Sequence, residues 1–192
     1  MSDSKIRVLV VDDSALMRKL LRNILEQDPQ ISVVGVAKDG VDALKKAEEL
    51  NPDVITLDIE MPVMDGLTCI ENLQKRGSYG IIVVSGVTRS GTSATIRALE
   101  DGAFDFIPKP DNSVSLSSGA IQAEITEKVK LAYGTLKKAE KLNKHAKNAL
   151  VKRHAEAENT NLKYIVAIGV STGGPRALST ILPVFPADLP AA

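Results

Sequence analysis

Five short runs of apolar and β-branched residues recur along the first part of the chain, and their recurrence restricts the possible folds more than any other feature. They occupy residues 6–11, 31–37, 54–57, 81–84 and 104–107. The stretches between them carry apolar residues at helical spacing, as in Leu16, Leu20, Leu21, Ile24 and Leu25. Alternating strand and helix patterns are typical of parallel βαβ units. Because apolar strands need cover on both faces, we predict a doubly wound α/β fold with a five-stranded parallel sheet.

Residues at the ends of two predicted helices support this interpretation. Ser14 stands where it can cap the first helix, since a serine hydroxyl accepts a hydrogen bond from a free amide of the first turn. Gly102 follows the fourth helix, where glycine commonly ends a helix in the left-handed conformation. Both residues occur at the spacing that the alternation requires.

The pattern changes after residue 110. A polar loop covers 111–119, and a stretch rich in Ala, Lys, Glu and Leu follows from about 121 to 158. This stretch is helical by propensity. We expect its first turns to pack on the sheet as a fifth helix and the remainder to be a solvated linker helix rather than a coiled coil. A sixth strand pattern at 164–168 then predicts three parts: a domain over 1–132, a helical linker over 133–162 and the start of a second α/β domain over 163–192.

Composition excludes several classes of function. Lys and Arg total 24 and Asp and Glu total 24, so the formal net charge is zero, which disfavours nucleic acid or an anionic membrane surface as the partner. The chain has no Trp and only three Tyr and three Phe, which leaves little surface for stacking bases. Cys69 is the single cysteine. With no signal peptide and no run near the roughly 18 residues of a membrane span, we expect a cytoplasmic protein without membrane insertion.

Three aspartates follow two of the predicted strands. Asp12 and Asp13 come directly after the first strand, and Asp58 after the third. Ligands of open parallel sheets bind beyond the carboxyl ends of the strands, so these carboxylates should meet at one rim. Hard oxygen ligands with room for water suit Mg²⁺. The alternative is that each aspartate caps the helix after its strand, which is less able to explain three together.

A hydroxyl and a cation are predicted at the same rim. Ser85 follows the fourth strand and Lys109 the fifth. Together with a metal held by carboxylates, these groups are the parts needed to transfer a phosphoryl group to an aspartate, with Asp58 as the nucleophile. Lys109 and Mg²⁺ would offset charge on the transferring oxygens.

These residues resemble the receiver domain of two-component response regulators. The resemblance rests on VVDDS at 10–14, on Asp58 followed by MPVMDG at 61–66, on Ser85, and on Lys109-Pro110. It covers residues 5 to about 132 and implies a flavodoxin-like receiver fold with Asp58 as the phosphoacceptor.

The same resemblance implies roles for the neighbouring residues. Asp12 and Asp13 would hold Mg²⁺ together with Asp58 and the main-chain carbonyl of Glu60. Ser85 and Lys109 would contact the phosphoryl group. Phe106 matches the rotating aromatic switch of the family, although from its sequence context alone it would be a core residue.

A second motif, Gly-Val-Ser-Thr-Gly at 169–173, satisfies the G-x-S-x-G pattern of a nucleophile elbow centred on Ser171. A tight βα turn and a phosphate-binding helix start are the alternatives, although a Walker lysine is absent. After a receiver and a linker helix, this segment resembles the start of the catalytic domain of the chemotaxis receptor methylesterases, the CheB family of protein-glutamate methylesterases and deamidases. The resemblance implies that Ser171 attacks glutamate methyl esters on chemoreceptor helices and that a chemotaxis histidine kinase controls this by phosphorylation.

The sequence departs from that family after the serine. A serine nucleophile needs a general base and an orienting carboxylate, which in this family lie downstream. Downstream of Ser171 there is no histidine and one acid, Asp188, while His145 and His154 lie upstream and are expected on a solvated surface. We therefore predict negligible esterase activity for these 192 residues.

A stand-alone receiver acting as a phosphorylation-dependent binding module or phosphate sink remains the alternative function. A reading frame that continues into histidine-containing sequence would favour the methylesterase, and a stop codon would favour the alternative. The isolated strand at 164–168 has unpaired edges, so residues beyond about 160 are expected to be disordered, docked on the receiver or paired with another chain. A homodimer through the linker helix or this strand is a further expectation.

Overall fold

The computed structural model describes residues 5–86, 89–109 and 119–150, with side chains except at 89–92 and 142–150. Strands and helices alternate strictly along the chain. The strands are β1 (Ile6–Val11), β2 (Ile31–Ala37), β3 (Val54–Asp58), β4 (Gly80–Gly86) and β5 (Asp105–Lys109). The helices are α1 (Ala15–Glu26), α2 (Gly40–Leu50), α3 (Gly66–Arg76), α4 (Arg89–Glu100) and α5 (Gly119–Leu150).

The five strands form one parallel sheet in the order β2-β1-β3-β4-β5. Strand order reverses beside β1, because β2 lies on one side of β1 and β3 on the other. The predicted doubly wound, flavodoxin-like fold is thereby confirmed. The reversal places the carboxyl ends of β1 and β3 next to each other, which is where such sheets bind ligands.

Helices cover both faces of the sheet, which explains why the strands are apolar on both sides. Alternate residues of β1 enter different cores: Leu9 and Val11 pack with the residues of α2, α3 and α4, whereas Val8 and Val10 pack with those of α1 and α5. The second core includes Ile125 and Val129 of α5, both fully buried. The expectation that the first turns of the fifth helix pack on the sheet is therefore confirmed.

The helix ends agree with the residues predicted to form them. The Ser14 hydroxyl caps α1 by accepting a hydrogen bond from the amide of Met17, at 3.4 Å. After α4, Gly102 has a φ of 107° and the amide of Ala103 donates to the carbonyl of Ala98 at 2.8 Å. This six-to-one hydrogen bond with a left-handed glycine is the Schellman ending of a helix.

Strands β4 and β5 extend further than the apolar runs at 81–84 and 104–107 indicated. Their ladder continues through Ser85 opposite Pro108 and Gly86 opposite Lys109, so Ser85 and Lys109 lie on the strands and not after them. The apolar pattern in the sequence ends before these residues, but the main-chain pairing of β4 with β5 continues through them. Pro108 is tolerated because β5 is an edge strand, where the sheet does not need every amide.

The chain divides after Leu136 into two units, of which the first carries the whole sheet. The second begins at Lys137 and is described only through the end of α5. The predicted domain boundaries at 132 and 162 stay predictions, and the sixth strand and its following helix lie outside the described residues. None of the described helices combines the length and the hydropathy that crossing a membrane would require.

Candidate functional site

Three carboxylates converge at the carboxyl ends of the two central strands. Asp12 and Asp13 follow β1 directly, and Asp58 is the last residue of β3. Val11 and Leu57, the residues just before Asp12 and Asp58, pair with each other in the sheet. One oxygen from each of the three side chains lies within 4.8 Å of the others. Asp12 and Asp58 are buried and Asp13 is exposed, so the cluster is open to solvent on one side.

The ammonium of Lys109 lies between the two buried carboxylates. Its Nζ donates a hydrogen bond to Oδ2 of Asp58 at 2.6 Å and forms an ion pair with Oδ2 of Asp12 at 2.8 Å. The approach to Asp12 is not aligned for a hydrogen bond, which leaves that buried oxygen without a hydrogen-bond partner among the described residues. One cation thus faces two buried anions, and the site keeps an excess of negative charge.

The two buried aspartates do not cap the helices that follow their strands. Ser14 caps α1, and Asp65 caps α3 by accepting a hydrogen bond from the amide of Thr68 at 2.8 Å. Instead, Oδ1 of Asp12 accepts from the amide of Ser14 at 2.9 Å, and Oδ1 of Asp58 accepts from the amide of Glu60 at 3.2 Å. These short turns fix one oxygen of each carboxylate and direct the other toward Lys109. Helix capping therefore does not explain why the aspartates are there.

Burial and charge act against each other on the central pair. Burial raises the pKa of Asp58 above its usual range, and the nearby charge of Asp12 adds to this, while the hydrogen bond and charge of Lys109 oppose it without cancelling it. Burial by itself would lower the pKa of Lys109, but its close contacts with the carboxylates of Asp12 and Asp58 and their negative charges outweigh burial, so the pKa is raised. The site therefore favours the protonated form of Lys109, whereas burial disfavours the charged form of Asp58 because Lys109 compensates that charge only in part.

The donor set fits a hard divalent cation. Three carboxylates supply oxygen ligands, one of them Oδ2 of Asp12, which accepts no hydrogen bond among the described residues, and the exposed side leaves room for water. Magnesium binds through a few carboxylates with several retained waters, which is what a half-open acidic cluster offers. Glu60, whose carbonyl was the fourth predicted ligand, follows Asp58 by two residues and is exposed.

Ser85 and Phe106 lie on the strands beside this cluster. Ser85 is 4% exposed on β4, between the strands of Asp58 and Lys109, and within the described part of the chain its hydroxyl makes one long contact, of 3.5 Å, to the carbonyl of Gly86. Phe106 lies on the edge strand with 40% of its surface exposed. Its sequence context alone indicated a core residue, and that interpretation is wrong. The edge of the sheet leaves the ring of Phe106 half open to water.

Sequence reasoning did not identify two residues that shape the site. Nη1 of Arg18 donates to the main-chain carbonyls of Asp12 at 2.7 Å and Asp13 at 2.9 Å, and so fixes the turn that carries both aspartates. A Cβ at Gly66 would lie 2.3 Å from the carbonyl oxygen of Asp58, so only glycine fits there. Gly66 belongs to the quoted MPVMDG run, and the requirement for close approach could have been inferred from it. No pattern signals the contacts of Arg18.

The second predicted site cannot be placed in the same way. Ser171, His154 and Asp188 lie outside the described residues, and the side chain of His145 does as well. Their predicted roles stay predictions.

Comparison with known proteins agrees with this geometry. The family model for the response regulator receiver domain matches residues 8–119. Among solved structures, the response regulator domain of Thermotoga maritima CheB is 48% identical, with a TM-score of 0.62 over 68% of this chain and 97% of that one. A CheX-CheY-BeF₃-Mg²⁺ complex from Borrelia burgdorferi contains a chain that is 29% identical, with a TM-score of 0.55 over 68% of this chain and 90% of that one.

The similarity to curated proteins extends beyond the sheet. A protein-glutamate methylesterase/protein-glutamine glutaminase 2 of Carboxydothermus hydrogenoformans is 48% identical over 191 residues, which is 98% of this chain and 54% of the relative. This chain therefore spans about half the length of the curated relatives that it matches. The matched part includes the segment after α5 that carries Ser171.

Proposed function

The chain belongs to the response regulator receiver family, with a receiver of the CheB type, and we propose that it is the phosphorylation-controlled regulatory part of a protein-glutamate methylesterase/protein-glutamine glutaminase. A histidine kinase of the chemotaxis system would donate the phosphoryl group, and Asp58 would receive it. The observation that carries the proposal is the contact of 2.6 Å between Lys109 Nζ and Oδ2 of Asp58, inside a cluster of three carboxylates.

The proposed reaction is a phosphoryl transfer between two side chains. A carboxylate oxygen of Asp58 forms a bond to phosphorus while the bond from phosphorus to the imidazole nitrogen of the donor histidine breaks. The electron pair of the broken bond stays on that nitrogen, and because the other ring nitrogen of the phosphorylated histidine carries a proton, the leaving group is neutral imidazole. Little covalent chemistry is asked of the receiver, so positioning and charge stabilisation supply most of the rate.

Lys109 and Ser85 would stabilise the group in transfer. The ammonium is already within hydrogen-bond distance of the attacking carboxylate and can follow the charge onto a phosphoryl oxygen. The hydroxyl of Ser85 is buried on the strand between those of Asp58 and Lys109, and its contact with the carbonyl of Gly86 is long, so it can donate to another phosphoryl oxygen. When bound, Mg²⁺ would offset negative charge on the phosphoryl oxygens. Asp12, Asp13, Asp58 and the carbonyl of Glu60 would hold it, and the similar Borrelia complex, which includes BeF₃ and Mg²⁺, supports a divalent cation at this site.

The phosphorylated state would be reported at the edge of the sheet. Ser85 pairs with Pro108, two residues after Phe106 on the same strand, so a hydroxyl drawn toward a phosphoryl group acts close to the ring. We propose that Phe106 changes orientation in response and so alters the surface near β4 and β5.

The controlled activity belongs to the proposed catalytic part. Relatives that match 98% of this chain are named as methylesterases and glutaminases, which supports 163–192 as the start of such a domain and Ser171 as its nucleophile. Glutamate methyl esters and glutamines on cytoplasmic chemoreceptor helices are the proposed substrates. The proposed location of the protein is therefore the cytoplasm.

Incubation of the chain with acetyl phosphate tests the proposed phosphoryl transfer without a kinase. Intact-mass measurement should detect one added phosphoryl group that requires Mg²⁺ and disappears in Asp58→Asn. The matched control is Asp28→Asn, at the turn before β2, where the carboxylate pairs with Lys130 and not with the cluster. Equal phosphorylation of the parent and Asp58→Asn would refute the proposal.

A further inference from the structure

Both main-chain polar groups of Phe106 are bound by side chains. Its amide donates to Oδ1 of Asp105 at 2.8 Å, and its carbonyl accepts from Nζ of Lys128 at 2.5 Å. Because β5 is an edge strand, side chains take the place of a neighbouring strand here. The backbone at Phe106 is thereby anchored while the ring stays half exposed.

Lys128 also contacts the ring. Its Nζ lies 5.3 Å from the centroid of Phe106, a distance at which a cation is attracted to the face of an aromatic ring. The side chain of Lys128 is 19% exposed, so water screens this attraction less than it would at an open surface. Ion pairs with Asp105 at 3.2 Å and Glu124 at 3.4 Å hold the ammonium in place.

Together these contacts couple the ring to the helix. The ammonium that binds the carbonyl of Phe106 is the one that attracts its ring, and Asp105 binds both the ammonium and the amide. Rotation of the ring away from Lys128 would give up the cation–π contact but no main-chain hydrogen bond. The cost of rotation is therefore set largely by one side chain on α5.

We propose that Lys128 is a positioning residue that holds the ring of Phe106 in its outward, half-exposed orientation and so sets the balance between this orientation and an inward one. This inference rests on the proposed function, because the contact of Lys128 with the ring is the one that a phosphorylation signal at Phe106 would have to break. It concerns the unphosphorylated protein, so it can be tested where no phosphoryl group is present.

The ring can be observed directly by ¹⁹F NMR of the full chain labelled with 4-fluorophenylalanine. The chain contains three phenylalanines, and loss of one resonance in Phe106→Leu assigns the one of interest. Lys128→Met keeps most of the aliphatic stem but removes the charge. The matched control is Lys130→Met on the same helix, whose ammonium pairs with Asp28 at 2.6 Å.

In Lys128→Met the Phe106 resonance should move, because the ratio of outward to inward ring orientations should fall. The fall should be about two- to five-fold, which corresponds to the loss of one cation–π contact. Lys128→Arg, which keeps a cation, should restore most of the parent shift, and Lys130→Met should leave it unchanged. The resonance of Phe104, which packs against the core beside α1 and α5, serves as the check that each variant is folded. A Phe106 resonance that is the same in Lys128→Met as in the parent, or that moves equally in Lys130→Met, would overturn the proposal. Neither result depends on whether Asp58 accepts a phosphoryl group.

Discussion

Lys109 Nζ lies 2.6 Å from Oδ2 of Asp58, although the two residues are 51 positions apart in the sequence and on strands that are not neighbours in the sheet. The lysine reaches across the end of β4 to meet a carboxylate that is 3% exposed. This contact joins the charge balance of the site to its proposed chemistry, because the same ammonium that offsets the resting carboxylates would face the incoming phosphoryl group.

Lys109→Met is expected to destabilise the protein at neutral pH. The substitution leaves Asp12 and Asp58 buried without a counter-charge, and breaking a buried ion pair from one side costs about 3 kcal/mol. Urea unfolding measures the change in the free energy of unfolding. Lys130→Met, which removes an ammonium that is 39% exposed from its pair with Asp28, should cost less than about 1 kcal/mol. Equal stabilities of Lys109→Met and the parent would show that the pair does not offset the buried charge.

Asp58→Asn is expected to stabilise the protein at neutral pH, on the order of 1 kcal/mol. Because burial raises the pKa of Asp58 above that of the unfolded chain, the folded state binds more protons between the two pKa values, and stability falls as pH rises through that interval. The asparagine variant lacks this penalty. Its advantage over the parent in urea unfolding should therefore grow as pH rises above about 4, the usual pKa of an aspartate.

Asp28→Asn should show the opposite sign. The hydrogen bond from Lys130 lowers the pKa of Asp28, so the native carboxylate contributes stability that is present above the unfolded pKa and is lost as pH falls. Asp28→Asn should therefore lose stability at neutral pH, whereas Asp58→Asn should gain it. Because both variants replace a carboxylate by an amide, opposite signs would show that the charge environment causes the difference. If Asp58→Asn were less stable than the parent at neutral pH, the assigned direction of the pKa would be wrong.

The fold was predictable because its signals are local and repeat. Apolar runs, the cap at Ser14 and the glycine at 102 each mark an element without reference to the rest of the chain. The end of the sheet that carries Asp12, Asp13 and Asp58 followed from topology alone. The contacts within the site did not follow, since the binding of Arg18 to two carbonyls and of Lys128 to the carbonyl of Phe106 depends on how helices pack against strand ends.

Gly66→Ala is expected to damage both the fold and the site. An alanine Cβ would meet the carbonyl oxygen of Asp58 at 2.3 Å and Cα of Ile59 at 2.6 Å, and main chain cannot move aside as a side chain can. We expect a loss of about 1–3 kcal/mol in unfolding free energy. Slower labelling of Asp58 by acetyl phosphate should accompany it.

Gly134→Ala is the matched control. A Cβ built at Gly134 on α5 would meet no heavy atom of the described residues within 4 Å beyond the nearby backbone of its own helix, and alanine favours a helix over glycine by up to about 1 kcal/mol. It should leave stability unchanged or raise it, with an unchanged rate of labelling. Comparable losses in both variants would indicate that helix substitution, and not the close approach to Asp58, causes the effect.

Val63→Asn is expected to stabilise the loop between β3 and α3. Val63 has a φ of 70°, a left-handed conformation that a β-branched residue tolerates poorly. The residue is 84% exposed, so burial offsets little of this cost. Asparagine adopts this conformation at lower cost, and the gain should be about 1 kcal/mol in urea unfolding. The same change at Val41, which is 50% exposed on α2, should give no such gain. A less stable Val63→Asn would mean that the valine makes a contact that outweighs its strain.

Asp58 is the proposed phosphoacceptor of a site built from Asp12, Asp13 and Lys109. The most direct measurement is to label the chain with acetyl phosphate and Mg²⁺, reduce the acyl phosphate with borohydride, and locate the reduced residue by peptide mass spectrometry. We expect reduction at Asp58 alone, and we expect it to be lost when Mg²⁺ is chelated. Reduction at Asp12 or Asp13 with Asp58 unmodified, or labelling at Asp58 that persists without a divalent cation, would contradict it.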